Sequence, residues 1–177
     1  MREMTDLTLV KAFAFDVDGV FTDGGILCDL HGELYRTFDA KDGFSIRMAT
    51  MQGYPCAIIT GGRSASITAR FQTCGIGPHD VYLGSRDKIA DFESFCAKYN
   101  LKHNEVLYMG DDIPDIPVLE ICGVAACPSD AVEEVKAVSH LISSRPGGKG
   151  SVREVIEKIM KLQGNWNFDV GNYKQKF

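Results

Sequence analysis

Along this chain, short apolar runs alternate with stretches in which apolar residues recur every three or four positions. Residues 9–15, 55–60, 80–83, 106–110 and 124–126 are runs of strand length bounded by Gly, Asp or Pro, and they read as buried strands. Residues 44–51, 64–74, 88–99, 116–122, 131–137 and 151–162 carry helical spacing; in 88–99, Ile89, Phe92, Phe95 and Cys96 fall on one side. A further strand is expected near His140, Leu141 and Ile142. Strands separated by helices imply right-handed crossovers, and so an α/β fold with a doubly wound, mostly parallel, Rossmann-like sheet covered on both faces. The alternation is broken once. Residues 26–28 and 33–38 flank the turn-rich Asp29-Leu30-His31-Gly32 and predict a β-hairpin at about 25–38, straight after the first strand. No repeat or linker divides the chain, so one domain is expected over 1–163. The polar, aromatic-dotted tail 164–177 is expected to fray unless it makes a subunit contact.

Composition narrows the class. With 177 residues, 45% hydrophobic and 24% charged, the chain has the make-up of a globular domain with a sizeable core. Acids outnumber bases by 24 to 19, a net charge of −5, which argues against nucleic acid as the main partner. An acidic chain that binds an anion must place its cations locally and recruit a metal. The six cysteines form no CxxC pair and several lie in apolar runs, pointing to free thiols in a reducing compartment. No apolar run approaches membrane-spanning length. Residues 7–15 are too short, and too interrupted by Lys11, for a signal peptide. A cytoplasmic protein without a membrane partner is the expectation.

The chemistry gathers where strands end. The first strand runs into Asp16-Val17-Asp18-Gly19, two carboxylates two positions apart at the sheet edge where open α/β folds bind ligands. A turn there can aim one acid at a substrate and keep the other within proton-transfer reach. A lone DxDG is more often just a turn. Ala57-Ile58-Ile59 ends in Thr60-Gly61-Gly62, a hydroxyl and exposed N–H groups suited to a phosphate oxygen, or simply a helix cap. Lys88 opens a helix and can neutralise a phosphate or a carboxylate; alone it would be a solvated lysine. Tyr108-Met109-Gly110 leads into Asp111 and Asp112, adjacent carboxylates that repel unless a cation lies between them, and hard oxygen ligands favour Mg²⁺. Asp115 reads as a cap for the helix after it. Each motif is modest by itself. Their order, each at a strand end or helix start, is specific.

This order resembles the haloacid dehalogenase superfamily, whose first motif is DxDx(T/V); here it reads DVDGV, with Thr22 further along. The resemblance implies a haloacid dehalogenase-like phosphohydrolase. Asp16 is then the nucleophile that forms an aspartyl-phosphate, Asp18 the acid/base, and Thr60 and Lys88 the holders of phosphoryl oxygens. Asp16, the Asp18 carbonyl and Asp111 become Mg²⁺ ligands, with Asp112 in support. Between Asp16 and Thr60 there is room for a hairpin and one helix only, and between Thr60 and Lys88 for one helix and one strand, so no cap domain fits. The DVDGVFTDG opening, the hairpin, Asp42-Gly43 with Ile46-Arg47, GDD-Ile-Pro-Asp and Gly147-Gly148-Lys149-Gly150-Ser151-Val152-Arg153-Glu154 are similar to the capless 3-deoxy-D-manno-octulosonate 8-phosphate phosphatases of lipopolysaccharide synthesis. That resemblance implies a phosphosugar acid as substrate and a homotetramer with the hairpin and segment 147–150 at subunit contacts. Substrate contacts are implied at Asp39, Ala40, Lys41, Asp42, Gly43, Arg47, Gly61, Arg63, Arg70 and Lys88. On a helix, Arg63 and Arg70, seven apart, share a face. The chain departs from the family pattern at Gly62, where an arginine is usual. The competing readings are a phosphatase for nine-carbon ulosonate 9-phosphates, and a non-catalytic phosphatase-like partner of a sugar cytidylyltransferase.

Overall fold

The computed structural model describes residues 5–176. Its elements in order are β1 (Ala12–Phe15), β2 (Leu27–Cys28), β3 (Leu34–Tyr35), α1 (Ala40–Met51), β4 (Cys56–Ile59), α2 (Ala65–Gln72), β5 (Val81–Tyr82), α3 (Lys88–Lys98), β6 (Val106–Met109), α4 (Ile116–Ile121), β7 (Val124–Cys127), α5 (Glu133–Val138), β8 (Leu141–Ile142), α6 (Ser151–Leu162) and α7 (Val170–Lys176). Six strands form one parallel sheet in the order β5-β4-β1-β6-β7-β8, and β2 and β3 pair antiparallel apart from it.

The strand sequences explain the two layers. Successive side chains on a strand point to opposite faces. In β1, Phe13 and Phe15 join the core formed with Ile46 and Ala49 of α1, Ile67 and Phe71 of α2, and Val155, Ile156 and Ile159 of α6. Ala12 and Ala14 point the other way, towards Phe92 and Phe95 of α3 and Val118 and Leu119 of α4. Small residues on that face leave room for the two phenylalanines of α3. Each fully buried Phe or Ile contributes on the order of 1.5–3 kcal/mol of transfer free energy.

The start of the first helix and the course of the tail stand out against the expected pattern. Helix α1 begins four residues before the expected Phe44, because Asp39 caps it, accepting from the N–H groups of Lys41 (2.7 Å) and Asp42 (3.2 Å). The tail is not frayed throughout: α7 forms, and Phe168 and Tyr173 pack on Phe44 with ring centroids 5.8 and 6.4 Å away. The chain leaves β1 for β4 and β5 on one side, then crosses to β6, β7 and β8 on the other. The carboxyl ends of β1 and β6 therefore meet at the switch of strand order. Only the hairpin and α1 separate β1 from β4, and only α2, β5 and α3 separate β4 from β6. Among the described residues no cap domain covers that edge. No helix of the described chain is long and apolar enough to cross a membrane.

Candidate active site

The register of β1 and β6 sets the site. Phe15 lies beside Met109, and the Asp16 N–H donates to the Met109 carbonyl at 3.0 Å, so the residues following both strands emerge together. Asp16, Asp111 and Asp115 each place a carboxylate oxygen within 4.8 Å of the others. Lys88, almost fully buried at the start of α3, sits among them: its Nζ is 3.1 Å from Asp16 Oδ2 and 2.7 Å from Asp115 Oδ1. Asp115 is wholly buried and also accepts from the Tyr108 hydroxyl at 2.7 Å and the Asp111 N–H at 3.0 Å. Gly19 shapes the loop from below. Its φ of +81° is strained for other residues, and a Cβ there would lie 1.9 Å from Asp111 Oδ2.

Asp16, Lys88 and Asp111 line an open cleft of about 660 Å³ with Asp18, Gly24, Thr60, Gly61, Gly62, Ser85, Arg86, Asp112 and Pro114, and Asp115 lies buried behind them. Thr60 is 1% exposed, and its hydroxyl oxygen accepts from the Gly62 N–H at 3.1 Å, which leaves the hydroxyl proton for a ligand. Burial, and then the neighbouring Asp115 charge, push the Asp16 carboxyl up to about 7 against the opposing pull of Lys88. Burial and then Asp16 push Asp111 up to about 8. Carboxylates so apposed ionise together only beside a cation. Asp111 Oδ1 is buried without a hydrogen-bond partner, an orphan that a divalent ion would satisfy. An all-oxygen set at an open cleft fits Mg²⁺.

The sequence-predicted residues divide. Asp16, Asp18, Thr60, Gly61, Lys88, Asp111 and Asp112 all border the cleft. Asp112 nonetheless lies at the exposed rim, where its Oδ1 accepts from the Ile113 N–H, and the acid that joins Asp16 and Asp111 is Asp115. The one-turn 3₁₀ helix Ile113–Asp115 carries Asp112 outward and folds Asp115 back under the loop. Arg63 does not share a helix face with Arg70, because α2 starts only after the Ser64 cap; Arg63 lies instead over Gly84.

Asp39, Ala40, Lys41, Asp42, Gly43, Arg47 and Arg70 do not border the cleft. Asp39 and Lys41 line a different, cation-rich groove of about 640 Å³ with Arg145, Lys149 and Arg153. Asp42 is fully buried and accepts from the N–H groups of Gly150 (3.3 Å) and Arg153 (2.9 Å), tying α1 to the start of α6. Arg70 stacks over Phe38, its guanidinium centre 5.8 Å from the ring centroid, and occupies the space that a Cβ on Gly43 would need. Gly147 and Gly148 close on the chain's own first loop, with the Gly148 N–H donating to the Val20 carbonyl at 3.0 Å.

Two residues went unread in the sequence. In the sequence Asp115 reads only as a helix cap. Arg36, straight after β3, forms a two-point ion pair with Asp18, Nε to Oδ1 at 2.6 Å and Nη2 to Oδ2 at 3.0 Å. An arginine ending a hairpin strand carries no local signal for this; the pairing is 18 residues apart in sequence.

Known proteins resemble this chain in sequence and fold. The haloacid dehalogenase-like hydrolase family matches residues 63–156. The curated 3-deoxy-D-manno-octulosonate 8-phosphate phosphatase of Salmonella typhi is 33% identical over 161 residues, covering 91% of this chain and 85% of that protein. The crystal structure of the Yersinia pestis 3-deoxy-D-manno-octulosonate 8-phosphate phosphatase superposes with a TM-score of 0.86 at 32% identity, over 90% of this chain and 85% of that one. The Moraxella catarrhalis enzyme of that name, crystallised with a magnesium ion, a phosphate ion and a KDO molecule, gives 0.86 at 33% identity over 90% and 91%.

Proposed function

Because this chain belongs to the haloacid dehalogenase-like hydrolases, and within them to the relatives of the 3-deoxy-D-manno-octulosonate 8-phosphate phosphatases, we propose that it removes phosphate from 3-deoxy-D-manno-octulosonate 8-phosphate. The observation that carries this reading is the buried knot of Asp16, Asp111, Asp115 and Lys88 at an open cleft bordered by Thr60 and Asp18. Mg²⁺ held by Asp16, Asp111 and the Asp18 carbonyl would supply charge neutralisation for the phosphoryl oxygens.

Within that frame the residues have distinct tasks. Asp16 attacks phosphorus through its carboxylate oxygen; the bond from phosphorus to the sugar oxygen breaks, and Asp18 gives its proton to the departing oxygen. Asp18 then takes a proton from water. The resulting hydroxide oxygen attacks phosphorus and the Asp16–phosphorus bond breaks, restoring both carboxyl groups and releasing inorganic phosphate. Lys88 holds Asp16 in place and offers charge to a phosphoryl oxygen, and the Thr60 hydroxyl donates to another. Such chemistry rests mainly on positioning and charge.

The open cleft and the exposed hairpin bear on assembly. Leu27 is 71% and Leu30 fully exposed, with Ile26 and Tyr35 beside them, apolar surface suited to burial against other copies. We place the homotetramer contact at this hairpin. Arg47, Arg63 and Arg70, which border no part of the chain's own cleft, act on substrate only across such a boundary.

The test is phosphate release from eight- and nine-carbon ulosonate phosphates and hexose phosphates, with and without Mg²⁺. The expected result is preference for the eight-carbon ester and loss of turnover in EDTA. Preference for a nine-carbon or hexose ester would overturn the substrate assignment.

A further inference from the structure

The Arg36–Asp18 pair is buried on one side only. The Arg36 side chain is 2% exposed and the Asp18 side chain 30%, so the guanidinium lies behind the carboxylate, which faces the cleft. Two parallel N–H···O contacts fix both the place and the plane of a carboxylate, something a point charge cannot do. Each oxygen keeps a second lone pair free for a proton or a ligand.

The pair fits poorly with a purely stabilising purpose. Arg36 Nη1 is buried with no hydrogen-bond partner, a cost a fold does not ordinarily carry. A buried ion pair is itself weak evidence for stability, since desolvation offsets most of the attraction. Gly62 leaves space beside the guanidinium. A Cβ on Gly62 would fall 3.1 Å from Arg36 Nη2 and 2.8 Å from Ile67 Cδ1. Gly62 is not among the glycines with positive φ, so a side chain there would be opposed by crowding against Ile67 and Arg36 rather than by backbone conformation.

We propose that Arg36 is a positioning residue for Asp18: a guanidinium supplied by the hairpin, admitted by the missing side chain of Gly62, that aims the Asp18 carboxyl at the leaving-group oxygen. This rests on the role of Asp18 as the proton donor given above. It adds that the hairpin sets the alignment of that donor, so that its conformation bears on the chemical step.

The test compares two leaving groups. A sugar alkoxide departs only when protonated, whereas nitrophenolate departs without help. The ratio kcat/KM reports events up to departure of the leaving group. For Arg36→Met, kcat/KM on the best alkyl phosphate of the wild-type enzyme should fall roughly 10- to 100-fold, the scale of a misplaced catalytic group. On p-nitrophenyl phosphate the loss should stay within about threefold, because general acid help is not needed there. Arg36→Lys, which keeps the charge but not the fork, should recover part of the alkyl-ester activity and serves if the Met variant does not fold. Gly62→Ala should show the same leaving-group-selective loss, and none further in the Arg36→Met background, since both changes remove one interaction. Equal losses in kcat/KM on both esters would overturn the proposal. Asp18→Asn run in parallel separates the two levels. If its loss is unselective, the proton-donor reading itself fails; if its loss is selective and that of Arg36→Met is not, only the role of Arg36 is lost.

Discussion

Lys88→Met tests how the site is held together. The Lys88 Nζ lies 3.1 Å from Asp16 and 2.7 Å from Asp115, with its side chain 7% exposed. At an effective dielectric constant of about 20, each contact corresponds to a gross attraction of about 5–6 kcal/mol. Desolvation removes much of this, but deleting one partner leaves two buried carboxylates uncompensated, a cost of about 3–5 kcal/mol. For a chain of this size that is a fall in Tm on the order of 10 °C. The deficit should depend on pH in a definite direction. Without the lysine, Asp16 holds its proton in the folded state well above the ordinary carboxylate range. The folded protein then binds more protons than the unfolded chain, and its stability falls as pH rises. The wild-type Asp16 carboxyl already sits at about 7 with Lys88 in place, so the variant should be close to wild type near pH 5 and furthest from it near pH 8. Mg²⁺ should restore part of the loss at the higher pH by mass action, because the ion binds only the folded arrangement. Urea or thermal unfolding at both pH values, with and without Mg²⁺, measures all of this. A deficit below about 1 kcal/mol, the same at both pH values, would mean that Lys88 is screened by solvent and does not organise the acids.

Three other changes probe separate parts of the site. Asp16→Asn should abolish phosphate release while circular dichroism and Tm show an intact fold; turnover near wild type would reassign the nucleophile. Gly19→Ala forces a side chain into left-handed backbone, at about 1–2 kcal/mol, and into the Asp111 carboxylate 1.9 Å away, so activity should drop more than tenfold and Mg²⁺ binding, followed by calorimetry, should weaken. Burial lifts the Asp42 carboxyl to about 6 from 3.8, so it opposes folding above pH 6 by up to about 3 kcal/mol, and that penalty disappears as pH falls below about 4. Asp42→Asn should therefore gain Tm relative to wild type between pH 5 and pH 7.5, and a difference that does not change with pH would show that the carboxyl is not desolvated.

The sequence alone determined the strands, their order along the chain, the hairpin, the lack of space for a cap, and the acids, threonine and lysine at the strand ends. These are local properties: apolar runs, helical spacing and residues at fixed offsets from a strand terminus survive in one dimension. Tertiary structure decided which of those groups meet. Crossing from β5 to β6 put Asp111 beside Asp16. A single 3₁₀ turn folds Asp115 back against Asp16 and Asp111 and leaves Asp112 at the rim, a difference of three positions that no local rule resolves. The pairing of Arg36 with Asp18, and the distance of Arg47 and Arg70 from the cleft, depend on how the hairpin, α1 and α2 pack. A long, flexible side chain reveals its partner only once the backbone around it is fixed.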